Sequence, residues 1–368
     1  MESRRQRSIE VDFFRGIVLI VIVLDHIPGS VLSHLMLHAY ALCDSAEVFV
    51  FLGGYASAAA YTAVLDRRGA GAAQMRFFRR CWEIYRAYLL TAVLTLVSGA
   101  LLAKWHLNRP MVDLTGWPAF AGEPLRQAVD IALLRRQPYL SSVLPMYVIF
   151  ALCVPFAVPL ALRRPLVALL ASIGVWLVAR PLASLFSIDD VGDWAFNPFA
   201  WQLVFMFGIL CRAQPIGERF HGSNTARWLV RIACVAVLAF AVVRLFVLTQ
   251  PLPGEHKQNL SVERVANFVA IAWLAARFVR SGSIAWLAKR LPAVVTVGRT
   301  GLVCFVAGTL VSLIVDTATP HSLHGFRGML AALGGDLIAI GALLVIARMW
   351  SDWKTHQSRA AVRGAECR

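Results

Sequence analysis

The chain has 368 residues, 58% of them hydrophobic and 15% charged, whereas soluble domains average roughly 45–50% apolar and about 25% charged residues. The excess falls in repeated apolar blocks and excludes an ordinary soluble domain. The formal charge of +15 is scattered in short clusters between those blocks, as in the cytoplasmic loops of membrane proteins, and not gathered into the basic face that nucleic-acid binding requires.

A helix needs about 20 residues to cross roughly 30 Å of hydrocarbon. On that measure the chain is predicted to be an all-α polytopic membrane protein with about ten spans, near 12–29, 43–64, 82–103, 139–162, 165–187, 197–213, 227–249, 262–280, 292–316 and 325–349. Arg4, Arg5 and Arg7 precede the first block as in a signal peptide. The block lacks an A-x-A cleavage site and ends in Asp-His-Ile-Pro, so it is expected to remain as an anchor. Basic residues recur after every second span: Arg67, Arg68, Arg76, Arg79 and Arg80, then Arg163 and Arg164, then Arg212, Arg219 and Arg227, then Arg277, Arg280, Lys289 and Arg290, then Arg348 and Lys354. The intervening connections 188–196, 250–261 and 317–324 are acidic or nearly free of basic residues, and the exception is 104–138, with Lys104, Arg109, Arg126, Arg135 and Arg136, which leaves the even span count unchanged. Both termini are therefore expected in the cytoplasm.

The stretch 104–138 is the longest without a span, and Trp105, Trp117 and Pro118 suit an interfacial segment. Residues 1–350 are expected to form one integral-membrane domain, and the polar stretch 351–368 a disordered cytoplasmic tail. No internal repeat is evident, which counts against many transporter folds. Seven cysteines show no C-x-x-C or pairing pattern, so neither a disulfide framework nor a structural zinc site is expected.

Ionisable residues on apolar helices are costly and point to function. In the first span Arg15 and His26 are 11 residues apart, about 16.5 Å along an unbroken helix and roughly 20° apart in azimuth, with Asp12 on the same face. Asp25 lies about 80° away from that face, and Pro28 is expected to end the helix near His26. Arg15 also suits a cytoplasmic headgroup boundary, and His26 a simple helix end. Glu47, near the external end of the second span, is placed to orient or charge-balance His26. Gly53, Gly54, Ser57 and Ala58 allow a close helix–helix approach, with the first span as the expected partner. Asn197 and Gln202 fall in the external half of the sixth span, and Lys257 and Arg264 at the external entry of the eighth. Arg299, at the cytoplasmic entry of the ninth, shares a side with Arg15, and two guanidiniums there suit a polyphosphate. His34, His38, His321 and His324 have ligand-like spacing but no evident third ligand, so no metal site is expected.

"VDFFRGIVLIVIVLDHIPGS", "AEVFVFLGGYASAAAY", "NPFAWQLVFMFG", "HKQNLSVERVANF" and "GRTGLVCFVAGTL" follow one another in an order that resembles the OpgC family of the acyltransferase-three superfamily, from residue 11 to about 349. That resemblance implies a multi-pass protein of the bacterial inner membrane that transfers an acyl group, succinyl in the family, from cytoplasmic acyl-CoA to a periplasmic glucan or related glycan. It implies Arg15 and His26 as the family's Arg and His, with ten residues between them and Asp25 before the His. Gly53-Gly54-Tyr55 stands where a Ser-Gly-Tyr or Ser-Gly-Phe is usual, and Asn267 where a His is frequent. On this reading His26 is a general base for a sugar hydroxyl, oriented by Asp25 or Glu47, or is itself transiently acylated. Arg15 and Arg299 hold the CoA phosphates, and Asn197, Gln202, Lys257 and Arg264 meet the substrate. Acyl-CoA is then a donor substrate, with no permanently bound cofactor. A secondary transporter or flippase with Arg15 and His26 along a permeation path is the alternative.

Overall fold

The ten apolar blocks appear as helices in the computed structural model, which describes residues 8–186, 194–248, 252–319 and 325–366, the last nine of them as backbone only. Among the described residues there is no strand. Five helices are long and apolar enough to cross a membrane, or up to seven if each of two bent pairs is one span.

The first helix, Ile9–Asp25, starts where the Ser8 hydroxyl accepts from Val11 N and ends at His26, two residues before Pro28. The second begins with a capping box: Asp44 accepts from Ala46 N at 2.7 Å, and Glu47 accepts from Asp44 N at 2.9 Å. It then runs through Ser45–Lys104 with a single non-helical residue, Gly69 at φ 80° and ψ 177°. The loop expected between the second and third spans is thus helical apart from that residue. Ala, Arg, Gln and Met favour helix there, and only glycine takes the left-handed φ without strain.

Two other expected spans are interrupted. Residues 165–185 form Pro165–Leu177 and Ala179–Leu185, bent by 63°, and the ninth block forms Pro292–Arg299 and Gly301–Ala318 on either side of Thr300. The 104–138 stretch contains three short helices, Arg109–Leu114, Trp117–Gly122 and Pro124–Ala132, each with Pro in its first turn, where the missing N–H has no intrahelical partner to lose. Tyr85 and Tyr88 tie this stretch to the long helix by donating to Ala132 O and to the Ile131 and Arg136 carbonyls. The last helix, Gly325–Glu366, carries helical backbone well into the stretch expected to be a disordered tail.

The helices fall into two compact units. In the larger, built from residues 36–277, the Ser45–Lys104 helix packs on Pro198–Ala213 and Val143–Arg163. Here the small residues of the second span find a different partner from the one expected. A Cβ on Gly54 would lie 2.0 Å from Phe205 O, and one on Gly208 2.0 Å from Phe51 O. The sixth block therefore presses backbone to backbone against this helix at these glycines. The short 30–42 connection points to the neighbour in sequence, whereas the complementary glycine lies at 208.

The smaller unit, built from residues 6–35 and 278–368, surrounds the first helix with Pro292–Arg299, Gly301–Ala318 and the last helix. Phe13, Ala288 and Val295 form a buried apolar cluster at its start.

Candidate functional site

The first helix meets Pro292–Arg299 as closely as backbones allow. A Cβ on Gly16 would be 2.0 Å from Val294 O, and one on Gly298 1.8 Å from Asp12 O. No other residue type fits at either position without moving a helix. This approach brings Arg299, the last residue of its helix, to Asp12, with Nε donating to Oδ2 at 3.2 Å. The Asp12 side chain is 3% exposed and that of Arg299 53%, so a buried carboxylate holds one edge of a guanidinium whose remainder faces outward. A Cβ on Gly301 would lie 3.1 Å from Arg15 Nη2, which puts the Arg15 guanidinium beside the start of the helix that follows Arg299. The two arginines expected on one side of the membrane thus belong to one helix junction, and the break at Thr300 is what forms it.

His26 caps the other end of the first helix. Its Nδ1 lies 2.5 Å from Ile22 O. A carbonyl oxygen only accepts, so Nδ1 carries the hydrogen and the lone pair of the neutral ring is on Nε2. Asp25 is the final helical residue beside it, and both side chains are half-buried. The chain then turns through Gly29 at φ 81°, and Leu32 N donates to Asp336 Oδ2 at 2.9 Å.

The larger unit holds a separate group of charges. Arg264, 8% exposed, donates from Nε to Glu47 Oε1 at 2.6 Å and from Nη2 to Asp44 Oδ2 at 3.1 Å. Lys257 Nζ lies 2.8 Å from the same Asp44 oxygen. The Asp44 carboxylate thus meets both the Lys257 ammonium and the Arg264 guanidinium through one oxygen. Glu47, fully buried, is thus engaged by Arg264 and by the Asp44 amide. Two cations match two anions, and the group joins the start of the long helix to the Val262–Arg280 helix.

Asn197 and Gln202 are also engaged within the protein. Asn197 caps its helix by accepting from Phe199 N and donates to Ala179 O and Asn259 Oδ1. Gln202 donates to Ser172 O and Phe199 O while accepting from Ser172 Oγ at 2.6 Å. Trp201, fully buried, donates to Lys257 O, and Asn197 N to Gln258 O, so this helix brackets the 254–261 segment. Asn267, where the family resemblance suggests a His, accepts from Leu42 N at 2.8 Å. Among the described residues no group of three His, Cys, Asp or Glu is placed to hold a metal, while His321 and His324 lie outside the described residues.

Two buried carboxylates escaped the sequence reading, Asp316 and Asp336, 2% and 0% exposed. The signal for Asp336 was present: it is the one acidic residue in the apolar run from Gly328 to Trp350.

Several helices long and apolar enough to cross a membrane, with ion pairs buried among them, define a polytopic helical membrane protein. The chain belongs to the OpgC family: a family model described as OpgC protein matches residues 7–355. Neither a curated protein nor a solved structure matches it. Membership suggests an acyltransferase-like role on glucans.

Proposed function

We propose that the protein is a membrane-bound O-acyltransferase that moves an acyl group, succinyl as the first candidate, from cytoplasmic acyl-CoA to a hydroxyl of a periplasmic glucan or related glycan. It resides in a bacterial inner membrane with ten crossings and both termini in the cytoplasm, a topology supported by the alternation of basic and acidic connections. The observation that carries the reading is the first helix itself. It is unbroken over Ile9–Asp25, with the Arg15 and Arg299 guanidiniums at one level and His26, its Nδ1 bonded to Ile22 O, at the other end.

Arg15 and Arg299 bind the CoA phosphates, Arg299 with the donors that its bond to Asp12 leaves outward. The pantetheine arm spans the distance of about 16.5 Å along the helix and brings the thioester to His26. Nε2 takes the proton of the glycan hydroxyl as the oxygen attacks the thioester carbonyl. The C–S bond then breaks, the CoA thiolate leaves, and the proton held by His26 returns to it. Asp25 supports the charged imidazole. Glu47 acts through the ion pair it forms with Arg264, and Asn197 and Gln202 through the hydrogen bonds that fix their helix. Lys257, 42% exposed, is the member of that set placed to draw an anionic acyl group or glycan.

Mass spectrometry of periplasmic glycans from cells making the wild type, His26→Ala or neither tests this. A defined added mass that His26→Ala abolishes at equal membrane abundance supports the reading and names the acyl group. Solute flux without any acylated product would favour a transporter instead.

A further inference from the structure

Asp336 is a carboxylate with no exposed surface in the otherwise apolar stretch 328–347 of the last helix. A buried carboxylate is expensive and persists where its hydrogen bonds serve a purpose. Its Oδ2 accepts from the amide of Leu32, 304 positions away in sequence, and Leu32 opens a short 3-10 turn, Leu32–Leu35. Between His26 and Leu32 the chain is compact. Ile27 and Ser30 are buried, Ser30 N donates to Ile27 O, and Ser33 N donates to Ser30 Oγ. The last helix supplies the fixed end of this strap. A Cβ on Gly335 would already press on Thr319 Oγ1 and Val315 Cγ1, at 3.0 and 3.1 Å, so Asp336 sits where its helix is locked against Gly301–Ala318.

The levels agree with this. A Cβ on Gly308 would touch both Val23 and Leu343 side chains, so the three helices meet there. His26 lies about 4.5 Å beyond Val23, and Asp336, seven residues from Leu343, about 10.5 Å beyond the same level. The strap therefore ties down the chain just past the imidazole.

We propose that Asp336 is a positioning residue for the transfer reaction: by holding Leu32 N–H it fixes the 27–35 turn and, through it, the direction in which His26 presents Nε2. This rests on the reading of His26 as the base.

The test measures acyl-CoA turnover with a glycan acceptor, using full-length protein in membranes at matched abundance. The variants are Asp336→Leu, Asp336→Asn, Leu32→Pro and the Asp336→Leu/Leu32→Pro pair. Asp336→Leu removes the acceptor and Leu32→Pro the donor. Each is expected to lower kcat about tenfold or more, as small misplacements of a reacting group do, with KM for acyl-CoA unchanged. Asp336→Asn keeps an accepting oxygen and should recover to within about threefold of wild type, since a neutral bond is weaker than a charged one but still made. The double variant should be no slower than the worse single, because both changes break one bond.

Wild-type turnover by Asp336→Leu, an Asp336→Asn variant as slow as Asp336→Leu, or losses that multiply in the double variant would each overturn the proposal while leaving the role of His26 intact. If Asp336→Leu does not accumulate, Leu32→Pro decides alone, and a wild-type kcat overturns it. A wild type that transfers nothing, or a His26→Ala variant equal to wild type, removes the proposed function and this inference together.

Discussion

Replacing Arg264 by methionine should unfold the larger unit more readily than any single charge change elsewhere in it. Arg264 is 8% exposed and its partner Glu47 is 0% exposed, so the variant leaves a carboxylate in the interior with only the Asp44 amide to meet it. Removing one partner of a buried pair costs about 3–5 kcal/mol, because the remaining charge is uncompensated. Lys257, 42% exposed, lies against the same Asp44, and Lys257→Met should cost less than Arg264→Met because solvent screens its ammonium and Arg264 still meets the carboxylate. Thermal unfolding of detergent-purified protein, followed by loss of the monodisperse species, gives an apparent midpoint for each variant. Arg264→Met should lower it by about 5 °C or more and Lys257→Met by about 2 °C or less. Adding Glu47→Gln to Arg264→Met should restore part of the loss, since the amide removes the orphaned charge. A midpoint for Arg264→Met equal to wild type, or no recovery in the double variant, would refute the account of this group as a buried clamp.

Arg299→Gln should raise KM for acyl-CoA about tenfold with kcat within about twofold, as expected when ground-state and transition-state binding are lost equally; steady-state kinetics decide, and an unchanged KM removes Arg299 from the donor site. Gly298→Val would drive a side chain into Asp12 O, 1.8 Å from the first added carbon, so this variant should accumulate at well under half the wild-type level in membrane immunoblots.

Much of the fold follows from local pattern. The first helix ends at His26 because Pro28 biases Ile27 away from helical geometry, and the apolar blocks become helices because no other open structure satisfies their backbone in hydrocarbon. Hydropathy misses local breaks and continuations. The charged stretch 65–81 falls between two apolar blocks, yet charge does not break a helix, and only Gly69 interrupts it. The ninth block has continuous hydropathy but is interrupted at Thr300. In the polar tail, arginine and alanine sustain helical backbone to residue 366.

The sequence by itself determined the class of protein, the family, and the expectation that Arg15 and Arg299 act together and that Arg15 and His26 mark opposite ends of one helix. These depend on composition, on the order of motifs, on the side of the membrane that basic connections assign and on spacing along the first helix. Tertiary structure decided which charges answer one another. Asp12 with Arg299, Glu47 with Arg264, and Asp336 with the Leu32 amide pair residues 217 to 304 positions apart. Their meeting is set by which helices pack together, at Gly16 and Gly298 in the case of Asp12 and Arg299, and no periodicity within one segment carries that information.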